Sequence, residues 1–215
     1  MSGPDVDVVV FDLGGVLLDW NPRYLYHRLF TDHAEMEDFL ARVCTDDWHL
    51  EHDLGADITE SCQQLAREHP RYRDMIMAWA DRGEEMLAGQ FDENVALLAE
   101  LKAAGRRCLA LSNMEPGPFL LRRRRFPFMN WFDGYVISGF ERVAKPDRRI
   151  FEILLERHRL TPESTVFVDD SLRNVEAAQR LGIRAEQYLS PRQLRRHFAD
   201  LQLVAAGDPA SPAQH

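Results

Sequence analysis

Asp12 follows the apolar run Val8 to Phe11, and Gly14 and Gly15 come directly after its neighbour Leu13. Two later runs end in the same way: Cys108 to Leu111 in Ser112 and Asn113, and Val166 to Val168 in Asp169 and Asp170. Lys145 belongs to the loop after another run, around Val136 and Ile137. A carboxylate beside glycines is a nucleophile that backbone and ligand can approach closely. Three carboxylates in one crevice repel one another unless a proton or a cation intervenes. Magnesium, a hard ion that takes one or two carboxylates plus a phosphate oxygen, suits that set. With Ser112, Asn113 and Lys145 as donors, the chemistry implied is phosphoryl transfer through an aspartyl-phosphate on Asp12.

These residues converge only if the runs are parallel strands of one sheet. Val8 to Phe11 is β-branched and aromatic, as suits a strand buried on both faces. Beyond Asp92 the pattern alternates helix and strand: a helix capped by Asp92 and closed by Gly105, the strand before Ser112, and a short helix over 118–125. Then come the strand at Val136, a helix capped by Asp147, the strand ending in Asp169, a helix capped by Ser171 and closed by Gly182, a strand over 184–188 and a helix over 191–201. Such alternation predicts an α/β fold, a doubly wound parallel sheet whose carboxyl ends share one edge.

Residues 21–89 interrupt that order with helical periodicity alone. Asn21–Pro22 marks a helix start, and Met36, Phe39, Leu40 and Val43 share a helical face. Asp57 with Glu60 resembles a capping box. Met75, Ile76, Trp79, Met86 and Leu87 suggest a further helix, with Gly83 a weak point in it. The domain reading is a core of 1–20 and 90–206, a helical insert of 21–89 over the end of the first strand, and a disordered tail of 207–215.

The chain has 215 residues, enough for one core plus a small insert. A net charge of −9 argues against nucleic acid or an acidic membrane as partner. The exception, Arg122 to Arg125, reads as a solvated helix face whose stems cover apolar surface. Cys44, Cys62 and Cys108 show neither disulfide nor zinc spacing, and no signal or membrane-spanning stretch is visible. A cytoplasmic location, as monomer or homodimer, is the expectation.

FDLGGVLLD, LSN, AKPD and VFVDD, in that order and with a helical insert after the first, resemble the haloacid dehalogenase-like hydrolase superfamily from about residue 6 to 200. The resemblance implies that Asp12 is nucleophile and magnesium ligand, that the Gly14 carbonyl and Asp170 also bind the metal, and that Asp169 lies in or next to that shell. It implies that Ser112, Asn113 and Lys145 hold the phosphoryl group, that Asn174 orients the acidic loop, and that the insert is the cap domain of the superfamily's phosphatases. Within the insert, Trp48 and His49 are the candidates for substrate choice.

One position departs from the pattern. Most of these phosphatases carry a second aspartate, the general acid and base, where this chain has Gly14. FDLG at this point resembles the bacterial α-D-glucose-1-phosphate phosphatases, which makes a small phosphorylated metabolite, a sugar phosphate, the expected substrate. Substitute acids are Asp19 or the stretch Trp48, His49, Glu51, His52 and Asp53. His49 and His52 also have the spacing of a metal pair, although a substrate-facing or surface role suits them better. Two rival readings are a metal-free 2-haloacid dehalogenase and an inactive ligand-binding scaffold. The paired acids in DDSLRN disfavour the first, since those dehalogenases resemble S-x-N-x-x-D there. The retained charge cluster disfavours the second.

Overall fold

The computed structural model describes residues 6–205. The expected tail from Gly207 lies outside them. β1 (Val8–Phe11) is the middle strand of a five-stranded sheet. It pairs in parallel with β4 (Arg107–Ser112) on one side and with β6 (Thr165–Asp169) on the other. β5 (Gly134–Ile137) and β7 (Arg184–Gln187) complete the sheet, also in parallel, in the order β5-β4-β1-β6-β7. A centre strand offers both faces to a core, which is why its apolar run is unbroken.

Alternation along the strand divides its side chains. Val9 and Phe11 face one apolar cluster, which includes Val95, Leu98 and Leu101 of α6 (Asp92–Ala103) and Leu194 and Phe198 of α11 (Pro191–Asp200). Val8 and Val10 face another, with Ile150, Phe151 and Leu154 of α9 (Arg148–His158) and Ala177 and Ala178 of α10 (Leu172–Gln179). The sheet is therefore covered on both faces. Asp147 caps α9 through the Arg149 N–H, and Gly105 and Gly182 take the positive φ expected after a helix.

Between Trp20 and Leu87 the chain forms α1 (Arg23–Tyr26), α2 (His33–Arg42), α3 (Asp46–Asp53), α4 (Ile58–Glu68) and α5 (Arg73–Arg82). These helices bury a third cluster, with Tyr26, Met36, Phe39, Cys62, Ile76 and Trp79 inside. Asp57 accepts from the Glu60 N–H, half of the expected box.

The sequence reading misses a two-stranded antiparallel ribbon, β2 (Leu18–Trp20) with β3 (Leu87–Gln90), through which both chain segments pass to the helices. Three and four residues are too few to carry a period of two, and Leu87 belongs to this ribbon rather than to a helix. Two helix starts also differ. Asp92 lies inside α6, with Phe91 at the cap position, and its carboxylate accepts from the Gln90 side chain. Ser171 precedes α10, but its side chain caps nothing; its N–H donates to the Asp169 carboxylate instead. The helix expected from Pro118 opens earlier, as α7 (Pro116–Arg125), and a short α8 (Ser138–Glu141) follows β5. Among the described residues no helix is long and apolar enough to cross a membrane, and the three cysteines are free and buried.

Phe11, the last residue of β1, packs edge-on to Phe132 and Phe198 at ring separations of 6.2 and 5.9 Å. Truncating a buried aromatic costs roughly 3–5 kcal/mol. Phe11→Ala is expected to lower unfolding stability in urea by about that amount; a loss below about 1 kcal/mol would show that the strand end is not held by this cluster.

Candidate active site

Pairing along β1 continues one residue past the strand, where the Asp12 N–H donates to Val168 O at 2.9 Å. The chain then turns sharply. Leu17 and Leu18 N–H both donate to Leu13 O, and Gly15 N–H donates to Leu18 O, so the turn closes without using the Gly14 carbonyl. Gly15 has φ +70°, and a Cβ there would stand 2.3 Å from Asp170 Oδ2. Glycine is required twice over, by backbone conformation and by the carboxylate pressed against it. A Cβ on Gly14 would meet nothing within 4 Å.

Lys145 joins the strand ends. Its Nζ lies 3.0 Å from Asp12 Oδ2, 2.6 Å from Asp169 Oδ2 and 3.0 Å from Leu111 O, with all three side chains buried. Burial works against the ammonium, but the two carboxylates prevail and raise its pKa. Asn113 fixes the backbone of Lys145 from both sides, accepting from its N–H and donating to its carbonyl, each at 2.9 Å. The Asn113 amide is thus engaged in placing Lys145 and faces the site from its edge. Ser112 ends β4 and is buried.

The two acids of the fourth motif have different surroundings. Asp169 is fully buried, with one oxygen accepting from the Ser171 N–H and Asn174 Nδ2 and the other from Lys145 and Asn174. Asn174, to which the resemblance assigns the orienting of the acidic loop, thus donates to both oxygens of Asp169. Asp170 is exposed, on the side of Gly15. Oxygen atoms of Asp12, Asp169 and Asp170 lie within 4.8 Å of one another. Burial pushes the Asp12 carboxyl up to about 7; Lys145 pulls it down, and Asp169 and Asp170 push it up. One ammonium among three carboxylates leaves an excess of negative charge, and the donors on offer are all oxygen. Asp12, Asp169 and Asp170 form a group of carboxylates that could hold a hard divalent cation.

Above this edge lies a cavity of about 790 Å³, lined by Gly14, Gly15, Asn113 and Asp170 below and by residues of α1, α2, α3 and α5 above. His49 lines it, stacked on Trp20 at 5.1 Å, and burial pushes its pKa down to about 4. Trp48 is not among the lining residues; it stands edge-on to His52 and Trp79 within the helical layer. His52 is fully buried, and neither of its ring nitrogens has a hydrogen-bond partner among the described residues. Of the other acids considered, Asp19 accepts from the Tyr24 hydroxyl, Glu51 is exposed, and Asp53 is buried and lines the cavity.

The arginine run departs at one residue from the expected solvated face whose stems cover apolar surface. Arg122 is buried, lines the cavity, and stands 3.7 Å from Glu84. Only Arg124 and Arg125 are exposed. Arg122 is three residues after Phe119 and four before Phe126, both buried, so its helical phase carried the signal that the repeated residue type hid.

A family model for haloacid dehalogenase-like hydrolases matches residues 6–182. The chain belongs to that family. Over 185 residues it is 29% identical to a phosphorylated carbohydrates phosphatase of Thermotoga maritima, covering 83% of this chain and 82% of that protein. It is 26% identical to a sesquiterpene phosphatase of Aspergillus oryzae, covering 81% and 85%. A haloacid dehalogenase family enzyme of Bacteroides thetaiotaomicron shares the fold at a TM-score of 0.70 and 21% identity, covering 90% of this chain and 98% of that one; that enzyme has also been solved with magnesium and inorganic phosphate. The L-2-haloacid dehalogenase of Xanthobacter autotrophicus shares the fold as well, at 0.64 and 20% identity, covering 96% and 85%.

For this hydrolase the two glycines have unequal tasks. Gly15→Ala forces a left-handed residue, about 1–2 kcal/mol, and displaces Asp170. It is expected to destabilise the protein by at least that much, while Gly14→Ala stays within about 1 kcal/mol of wild type. Urea unfolding of both variants measures the difference, and equal values would mean that Asp170 does not press on Gly15.

Proposed function

We propose that the chain hydrolyses small phosphate monoesters, sugar phosphates among them, with Asp12 as nucleophile and magnesium as cofactor. The observation that carries this reading is the arrangement around Lys145, an ammonium fixed between Asp12 and Asp169 with a further carboxylate, Asp170, across the turn. Asp12, Asp170 and the Gly14 carbonyl would hold the metal, which when bound neutralises charge on the ester and on the carboxylates that face it. An Asp12 oxygen attacks phosphorus, the ester oxygen departs, and water then releases phosphate from Asp12. Lys145 keeps a positive charge against the transferring group, and Ser112 and Asn113 border it. Asp169 acts through Lys145, fixing where the ammonium stands.

The helices over 21–89 act as a cap that closes the site and chooses the ester. His49, Trp20 and Trp79 offer aromatic faces to the cavity, and Arg122, Asp53 and Glu115 offer polar groups, a lining suited to the mixed surface of a sugar. The two relatives named above are phosphatases, which supports phosphorus rather than carbon as the centre attacked. The dehalogenase likeness is one of fold.

Asp12→Asn keeps the shape and removes the nucleophile, so turnover of a panel of phosphometabolites is expected to fall to background, as it is in wild type with excess chelator. Substantial hydrolysis under either condition would exclude the mechanism. The two neighbouring acids separate metal binding from positioning. Asp170→Asn is expected to raise the half-saturating magnesium concentration by more than about a hundredfold, beyond the usual effect of an outer partner. Asp169→Asn is expected to lower kcat at saturating magnesium instead. A larger magnesium shift at Asp169 would reverse the assignment.

A further inference from the structure

The aspartate absent at position 14 leaves the departing oxygen without a proton donor and the attacking water without a base. Asp53 ends α3 and lines the cavity whose floor is Gly14, Gly15 and Asp170. It is 8% exposed, and its carboxylate makes no hydrogen bond or ion pair among the described residues. Its backbone, by contrast, is pinned to the core. Ser138 Oγ donates to Asp53 O at 2.5 Å and accepts from the N–H of Met114, the residue after Asn113, at 2.9 Å. The other acids lining the cavity are differently placed. Glu37 is bound by two hydrogen bonds to Arg23, Asp46 is exposed, and Glu115 is less buried than Asp53.

We propose that Asp53 is the acid and base of this hydrolase, taking the part that a second aspartate beside the nucleophile would have played. The inference rests on the phosphatase reading above. As Asp12 attacks, the P–O bond to the ester oxygen breaks, its electron pair stays on that oxygen, and the proton of Asp53 goes to it, so the product leaves as an alcohol. Water then attacks phosphorus, the P–O bond to Asp12 breaks, and one water proton passes to the Asp53 carboxylate. Its hydroxyl remains on phosphate. Both side chains return to their starting states.

The setting suits a group that holds a proton at neutral pH. Burial pushes the Asp53 carboxyl up to about 7, Glu115 pushes in the same direction, and Lys145 and Arg122 pull against them. Proton transfer from such a residue contributes roughly 10²–10⁴-fold when the leaving oxygen is basic, and little when it is not.

The test therefore compares two esters on Asp53→Asn with magnesium present: glycerol phosphate, whose alkoxide needs a proton, and 2,4-dinitrophenyl phosphate, whose leaving group does not. Pre-steady-state bursts of dinitrophenolate count active sites, so unfolded protein drops out, and they isolate attack by Asp12 from later release of phosphate. The single-turnover rate per site with glycerol phosphate is expected to fall about 10²–10⁴-fold, and the dinitrophenyl burst rate less than about tenfold. After that burst, phosphate is expected to leave Asp12 more slowly than in wild type. Equal losses on both esters, no loss on either, or the same selectivity in Glu115→Gln instead would overturn the assignment while leaving the phosphatase reading in place. A wild-type protein inert to both esters would overturn that reading, and the role of Asp53 with it.

Discussion

An isolated ammonium taken out of water costs several kcal/mol even after the protein relaxes, and an isolated carboxylate costs as much. Lys145 and Asp169 are both buried and lie 2.6 Å apart, so each removes the reason for the other to be unfavourable. The remaining valences are filled too. Leu111 O and Asp12 take the other protons of Lys145, while Ser171 N–H and Asn174 take the remaining lone pairs of Asp169. A buried pair so completely hydrogen-bonded has one favourable arrangement, and that arrangement sets the direction in which Asp12 points. Remove the ammonium and two carboxylates face each other without water.

The division of labour between Asp169 and Asp170 follows from strand geometry. Successive side chains along an extended chain leave it on opposite sides. With Asp169 committed inward to Lys145, its neighbour emerges on the side of Gly15, free of that network and open to the cavity. Two adjacent residues of one type thus have two settings, one internal and paired with Lys145, the other facing the cavity. Gly15 completes the device, since any side chain there would occupy the space that Asp170 fills.

The helices above the strand ends have their own apolar cluster, distinct from the two that sandwich the sheet. Their covalent link to the sheet is the β2–β3 ribbon, and a further tie is the Ser138 hydroxyl between Asp53 O and Met114 N–H. The cavity between these layers is where residues remote in sequence meet: Asp53 and His49 from α3, Glu115 and Arg122 from α7 and the loop before it, and Asp170 after β6. Its polar groups are buried but not saturated: Arg122 Nε lies 3.7 Å from Glu84 and makes no hydrogen bond among the described residues. Unsaturated buried polarity is costly in a core and useful beside a reacting centre, where a ligand can complete it.

Val8 to Phe11, a buried strand followed by Asp-Leu-Gly-Gly, already determined that a carboxylate would stand at the carboxyl edge of a parallel sheet. The alternation of helix and strand after Asp92 determined which other residues would share that edge. These features are legible because periodicity and strand-end position are local properties of the chain. The sequence also marked Arg122 by its phase with Phe119 and Phe126, yet four arginines in a row made the phase invisible to a reading by composition. What the sequence left open depends on contacts between distant segments. Asn113 was legible as a donor, but only folding brought it to the backbone of Lys145, 32 positions on. Trp48 and His49 are adjacent in sequence, yet the packing of α3 turned one into the helical layer and the other toward the cavity. Asp53 was one of several acids in the sequence; the tertiary structure buried it against the cavity, bound Asp19 to Tyr24 and left Glu51 exposed. Residue type supplies a charge, but the distance to partners and the exclusion of water decide what that charge does, and both are properties of the folded chain.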